Sequence, residues 1–167
     1  IWLPDGRLAA LAAEPLPEDV EKRRQEGEDA YVADDNFQWT RLYMVDLTSG
    51  ALTPVSPPGM QVYEAVPAPD SGRWALVVSD DPRRDAWYRN RLVRLDGPEG
   101  EPVTLYETSA LPQGVSAAPA WSPDGRTVAF IAGAWSDEGA VAGDVWLVES
   151  DGAAACCLTP GIAASFG

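Results

Sequence analysis

Trp121-Ser-Pro-Asp-Gly-Arg-Thr-Val-Ala-Phe-Ile131 is a tight turn that runs straight into a short apolar strand. Pro presets the turn, Asp can bond its own backbone, and Gly supplies a positive φ. The pattern recurs twice upstream. Trp2-Leu-Pro-Asp-Gly-Arg-Leu-Ala-Ala-Leu11 opens the chain, and Pro67-Ala-Pro-Asp-Ser-Gly-Arg-Trp-Ala-Leu-Val-Val78 repeats it with Ser71 as an apparent insertion. Turn residues followed by β-branched and aromatic runs are hairpin chemistry.

A second signal follows each of these turns. Leu42-Tyr-Met-Val-Asp-Leu47 ends at Thr48-Ser-Gly50, Arg91-Leu-Val-Arg-Leu95 at Asp96-Gly97, and Asp144-Val-Trp-Leu-Val148 at Ser150-Asp-Gly152. Leu52-Thr-Pro54 and Leu158-Thr-Pro160 then close the first and third units. One unit therefore holds four strands, a to d. In the second unit they fall near Gln61–Ala65, Trp74–Ser79, Tyr88–Leu95 and Pro102–Tyr106. In the third they fall near Val115–Trp121, Thr127–Ala132, Asp144–Glu149 and Ala153–Leu158. Four-stranded antiparallel units repeating every roughly 50 residues indicate a β-propeller. The expected fold class is all-β, a partial β-propeller of about three blades, with one short helix in an inserted loop. The blades are expected at about 1–58 (incomplete), 59–110 and 111–161, with a fourth beginning at 162–167. Three blades do not close a ring, so the sequence reads as a piece of a larger propeller.

Composition narrows the partners. Hydrophobic residues make up 46% of the chain, enough for a core and too many for a disordered segment. The formal net charge of −14 argues against a nucleic-acid partner, which wants a basic face. No stretch approaches the roughly 18 apolar residues that span a bilayer, so no membrane partner is expected. The two cysteines, Cys156 and Cys157, are neighbours, a geometry that strains a disulfide; they read as buried strand residues in a reducing compartment. A cytoplasmic location is expected, with a periplasmic or secreted one left open because the sequence begins at Ile1 and not Met.

The chain contains no His, which rules out a Ser-His-Asp triad within it. It has no Gly-x-Ser-x-Gly elbow, no phosphate-binding glycine loop and no zinc spacing, so no catalytic residue, cofactor or metal is assigned. Candidate sites fall instead on the connections between strands b and c. The first carries a helix expected over Pro17–Glu26, with Pro17 at its first position, acidic residues at its start and Gly27 as its stop. The second is Asp80-Asp-Pro-Arg-Arg-Asp-Ala-Trp87 and the third Trp135-Ser-Asp-Glu-Gly-Ala-Val-Ala-Gly143. Equivalent connections emerge on one face of a propeller, and loops of this kind often carry function. Arg83, Arg84, Trp87, Tyr88 and Trp135 are the candidates for contact with a substrate or a neighbouring domain, because Arg stacks on aromatics and pairs with carboxylates. The plainer reading is a solvated, soluble surface. The carboxylate pairs Asp34-Asp35, Asp80-Asp81 and Asp137-Glu138 read as solvated loop charge, with calcium or acid-base work as the alternative. Trp74, Trp121 and Trp146 fall on strands and read as packing between blades.

The phrase Pro119-Ala-Trp-Ser-Pro-Asp-Gly-Arg-Thr-Val-Ala-Phe130 resembles the repeat signature of TolB-type and peptidase propellers, and Gly143-Asp-Val-Trp-Leu-Val148 with Leu158-Thr-Pro-Gly161 continues it. The stretch Glu28-Asp-Ala-Tyr-Val-Ala-Asp-Asp-Asn-Phe-Gln-Trp-Thr-Arg-Leu-Tyr43, after the charged helix, resembles the first blades of acylaminoacyl-peptidase-like serine peptidases of the prolyl oligopeptidase family. The resemblance implies an N-terminal propeller over a C-terminal α/β-hydrolase domain that supplies Ser, Asp and His. The propeller would gate the entry of small peptides. Implied partners are that hydrolase domain, the remaining blades, a small peptide substrate and a further copy in a homo-oligomer. Two other readings stand beside it: a TolB-like protein-interaction propeller, and a propeller hydrolase acting on sugars or lactones.

Overall fold

The structure, a computed structural model, describes residues 1–27, 37–98, 100–108, 114–137, 140–141 and 143–161, with backbone alone at 134–137 and 140–141. The expected start of a fourth blade at 162–167, most of the 28–43 stretch and the Asp34-Asp35 pair lie outside the described residues. Among those described, no helix is long and apolar enough to cross a membrane.

Three antiparallel sheets follow one another along the chain. The first joins β1 (Leu8–Ala13), β2 (Thr40–Val45) and β3 (Leu52–Pro54) in that order. The second joins β4 (Gln61–Pro67), β5 (Trp74–Ser79), β6 (Arg91–Leu95) and β7 (Val103–Glu107). The third has β8 (Gly114–Trp121) paired to β9 (Thr127–Asp137), then β11 (Asp144–Glu149) and β12 (Cys156–Cys157), while β10 (Ala140–Val141) also pairs with β9. The architecture is all-β, as the turn spacing requires. Helix α1 (Glu18–Gln25) sits between β1 and β2 and buries none of its residues. Pro17 is its N-cap and not its first helical residue. A second helical piece, of the tight 3-10 kind, covers Arg84–Arg89.

The turns explain the sheets and revise their alignment. Each closes with a backbone bond across the hairpin: Leu3 N–H to Arg7 O, Ala68 N–H to Arg73 O and Ser122 N–H to Thr127 O. Inside each, the residue at positive φ donates back to the same starting residue: Gly6, Ser71 and Gly125. The second and third turns are thus equal in length, and the first is one residue shorter. Ser71 is no insertion; it occupies the left-handed place that glycine holds in the other two turns, a strain of about 1 kcal/mol for a residue with a Cβ. Thr127 likewise stands where Arg7 and Arg73 stand, and Arg126 lies beside it. The Leu-Thr-Pro match also shifts. Leu42 N–H donates to Ser56 Oγ and Val145 N–H to Thr159 Oγ1, while Val55 and Leu158 donate to the matching carbonyls. The counterpart of Leu158-Thr159 is therefore Val55-Ser56, three positions beyond Leu52-Thr53.

The core lies between the sheets. Ala9, Leu42, Val55, Met60, Val62, Leu76, Val78, Val93 and Leu95 fill the space between the first and second. Ala75, Val77, Leu92 and Leu105 meet Val128, Phe130, Ala132 and Val148 between the second and third. Every residue of β5 is buried, because β5 is covered on both faces. Fully burying one such Val or Leu is worth about 1.5–3 kcal/mol. Trp74 is buried in the first cluster, and Trp121 and Trp146 pack against the second. Tyr106 stands between Phe130 and Trp146 at ring distances of 4.8 and 5.4 Å.

Polar side chains lock the same junctions. Asn90, fully buried, donates to Ser116 O at 3.0 Å and accepts from Ser116 N–H at 2.8 Å and Oγ at 3.0 Å. Gln61 Oε1 accepts from Thr40 N–H at 2.8 Å. On the side of the Asp-Gly turns, Arg7 donates to Ser71 O at 2.8 Å. Arg73 lies 5.1 Å over the Trp121 ring, whose Nε1–H reaches Val66 O at 3.1 Å. Arg94 donates to Ser150 O in the turn that follows β11.

Two sequence expectations change on the third sheet. The connection beginning at Trp135 is not an open loop: β9 continues through Asp137 and β10 folds back on it, with Val141 opposite Trp135. Cys156 is exposed and Cys157 half-buried, not core residues, because β12 is the outermost strand of its path; both are free thiols.

Candidate functional site

The connection from β5 to β6 is a compact charged knot. Asp81 accepts from Arg83 Nε at 2.9–3.0 Å through both carboxylate oxygens and from its backbone N–H at 3.0 Å. Arg89 approaches Asp81 at 3.7 Å and Asp85 at 3.6 Å. The Arg83 side-chain bond, ahead of its backbone bond, holds the Asp81 carboxyl down at about 2. Next to it Asp80 takes a two-pronged bond from Arg91, 2.7 Å on each oxygen, which raises the Arg91 pKa. The neighbouring carboxylates of Asp80 and Asp81 are thus each matched to their own arginine. That arrangement fixes the loop.

The aromatic part of this connection turns inward. Trp87 and Tyr88 meet edge to face at 5.6 Å and pack against the buried pair Val115 and Ala117 of the third sheet, as Ile131 does. The apolar run places the start of strand c at Tyr88. The backbone there is instead the last turn of the 3-10 helix, and the strand begins at Arg91 after the Asn90 clamp. Of the five candidates, the structure brings Arg83, Arg84, Trp87 and Tyr88 onto one short segment. Arg83 and Arg84 are exposed, and the two aromatics are half-buried against the next sheet. Trp135 lies in β9, with its side chain outside the described residues.

One polar group escaped the sequence reading. Glu64, half-buried on β4, accepts from the Ala118 N–H of β8 at 2.8 Å. Burial raises its carboxyl pKa, against the opposing effect of that bond. Both ends of the contact sit in irregular backbone, with register shifts between Val62 and Glu64 and between Ala117 and Ala120, and with Ala118 at φ 51°. Nothing in the local sequence signals a bulge at either place. Nearby, Tyr63 OH bonds Ser79 Oγ at 3.0 Å, and burial raises the Tyr63 pKa. Among the described residues no three His, Cys, Asp or Glu side chains group as metal ligands.

The repeated stacked sheets invite comparison with known propellers. The chain matches no family model and no curated protein. Among solved structures it is similar to a protein assigned as TolB from Agrobacterium tumefaciens, with TM-score 0.59, 14% identity, and coverage of 93% of this chain and 46% of that one. It is also similar to TolB from Acinetobacter baumannii, with TM-score 0.53, 18% identity, and coverage of 90% and 29%. The fold is a partial TolB-like β-propeller. At these identities the likeness speaks for fold alone, and the chain spans less than half the length of either structure. The prolyl oligopeptidase assignment is finer than this likeness reaches.

Proposed function

We propose that this chain is the non-catalytic propeller segment of an acylaminoacyl-peptidase-like serine hydrolase, walling the path by which small peptides reach a separate α/β-hydrolase domain. The observation that carries the reading is the Glu64–Ala118 contact. There the first strands of two neighbouring sheets meet at a polar, partly desolvated seam, in a chain that has no His to build a triad. A wall needs rigidity, and the Asn90 clamp and the arginine-paired carboxylates of Asp80 and Asp81 provide it. The resemblance of 28–43 and 119–130 to peptidase propellers supplies the substrate class. On this reading Arg83, Arg84, Trp87, Tyr88 and Trp135 are the contacts to the substrate or the hydrolase domain, the location is cytoplasmic, and a further copy of the chain is a partner in a homo-oligomer.

The test uses the polypeptide that carries this propeller together with its hydrolase domain. It should take a fluorophosphonate label, cleave short N-acyl peptides and leave casein intact, while residues 1–167 alone take no label. Equal cleavage of casein and short peptides would remove the gating role, and absence of any label would remove the peptidase. The likeness in fold to TolB favours a second reading, a propeller that serves as a protein-interaction scaffold, which an unlabelled full polypeptide would support.

A further inference from the structure

The last strand of each sheet forms its outer rim, and the three rims differ in what they present. β3 ends at Pro54, which has no N–H to offer. β7 ends at Glu107, an exposed charge. Proline and charge both keep a strand edge from pairing with another chain. β12 has neither device. From Ala153 to Leu158 the sequence holds no proline and no charged side chain, in a chain whose formal net charge is −14. Among the described residues no strand lies on the side of β12 away from β11. Blades repeat around a propeller by their faces, so a further blade covers a face and not this rim.

The register fixes which groups this rim exposes. Leu158 donates its N–H inward, to Val145 O. By the alternation of an antiparallel strand, Cys156 also turns its N–H and C=O toward β11, while Ala155 and Cys157 turn theirs outward. The side chains alternate as well. Cys157 stands opposite Trp146, on the side of the second sheet, and is half-buried. Cys156 stands opposite Leu147, on the other side, and is exposed.

We propose that β12 is a strand-addition edge for a second copy of this chain, the two β12 strands running antiparallel about a two-fold axis that sets Cys156 opposite Cys156 of the second copy. Ala155 and Cys157 of each copy then exchange N–H···O bonds with Cys157 and Ala155 of the other. Cys156 falls at the position without such bonds, where facing Cα atoms lie about 4.5 Å apart and their side chains share a face. A disulfide spans Cα atoms about 4.4–6.8 Å apart, so the two thiols stand within bonding reach. Identical antiparallel strands are self-complementary, and an uncharged rim lets two chains of like charge approach. The inference supplies the contact for the homo-oligomer of the proposed function, on which it rests, and takes nothing from the peptidase reading. So short a strand pair buries little surface, so the thiol form associates weakly and a disulfide makes the dimer lasting.

Oxidised glutathione supplies the readout. Two Cys156 thiols give up two protons and two electrons to form one disulfide, and oxidised glutathione is reduced to two glutathione thiols. Non-reducing electrophoresis should show a covalent dimer for the wild-type chain and for Cys157→Ala, and none for Cys156→Ala. Ala155→Pro and Cys157→Pro each remove an outward N–H and leave the inward ladder intact, as proline does on an edge strand. Each should slow dimer formation about tenfold, while a maleimide labels Cys156 at the wild-type rate and far-ultraviolet circular dichroism shows the fold retained. Wild-type rates in both folded proline variants would mean that the thiols meet by random collision and would overturn the proposal, as would a dimer formed by Cys156→Ala. Sedimentation equilibrium separates this contact from the oligomer itself. An oligomer of the reduced chain that yields no Cys156 disulfide keeps the homo-oligomer and overturns this contact; a chain that stays monomeric and yields none removes both.

Discussion

At the scale of single residues, two carboxylates report opposite environments and should respond to pH with opposite sign. The Asp81 pKa is lowered from 3.8 to about 2, first by the Arg83 side-chain bond. A depressed carboxyl contributes stability that is present above its unfolded value and lost as pH falls through the folded one. Asp81→Asn should therefore flatten the wild-type loss of urea resistance between about pH 4 and pH 2, while leaving the low-pH end unchanged. The Glu64 pKa is raised from 4.5 by burial. A raised carboxyl contributes stability that is complete below its unfolded value and lost as pH rises through the folded one. Glu64→Gln keeps an oxygen for the Ala118 N–H and removes the charge. Its urea midpoint should match wild type near pH 4 and exceed it at pH 7. A midpoint below wild type at pH 7 would mean that the charge on Glu64 strengthens the Ala118 bond by more than its desolvation costs.

At the scale of elements, the β9–β10 hairpin depends on one glycine. Gly143 faces the Ala132 carbonyl where β11 joins β9, and a Cβ there would lie 2.4 Å from that oxygen. Backbone on both sides must move to admit it, a strain of about 1–3 kcal/mol by analogy with overpacked cores. Gly143→Ala should lower the thermal midpoint. The loss of hydrogen-exchange protection should be centred on β9 and β11, with the first sheet little changed. The same hairpin marks how far the sequence could be read. β3, β5 and β11 lie where turn chemistry and apolar runs place them, because an Asp-Gly bend and a β-branched run act locally. The sequence-level alignment of the turns failed at Ser71 and Thr127, since a serine can adopt the left-handed conformation and an arginine need not occupy the closing position. Trp135 reads as a loop residue because Ser136 and Asp137 beside it are poor strand formers. Pairing of Trp135 with Val141 and of Asp137 with Ala140 overrides that preference, as tertiary context often does for strands. Glu64 was silent because its importance comes from a neighbour, Ala118, that is brought to it only when two sheets stack.

At the scale of the whole molecule, the second sheet is the shared partner of both others, so its two faces can be loosened independently. Leu76 and Leu92 are both fully buried, the first among residues of the first junction and the second among those of the second. Replacing either by Ala should cost about 2–5 kcal/mol from lost transfer energy and the cavity left behind. The consequences should nevertheless differ in place. In a stack of units that touch only their neighbours, stability is close to a sum of unit and interface contributions. Leu76→Ala should speed amide exchange through β1, β2 and β3 and leave β11 and β12 near their wild-type rates. Leu92→Ala should do the reverse, and β5, covered on both sides, should respond to each. The Asn90–Ser116 bonds lie on the Leu92 side, so their amides should open with β11 and not with β1. If either substitution raised exchange equally in all three sheets, the molecule would behave as one cooperative block. The junctions would then not be separable.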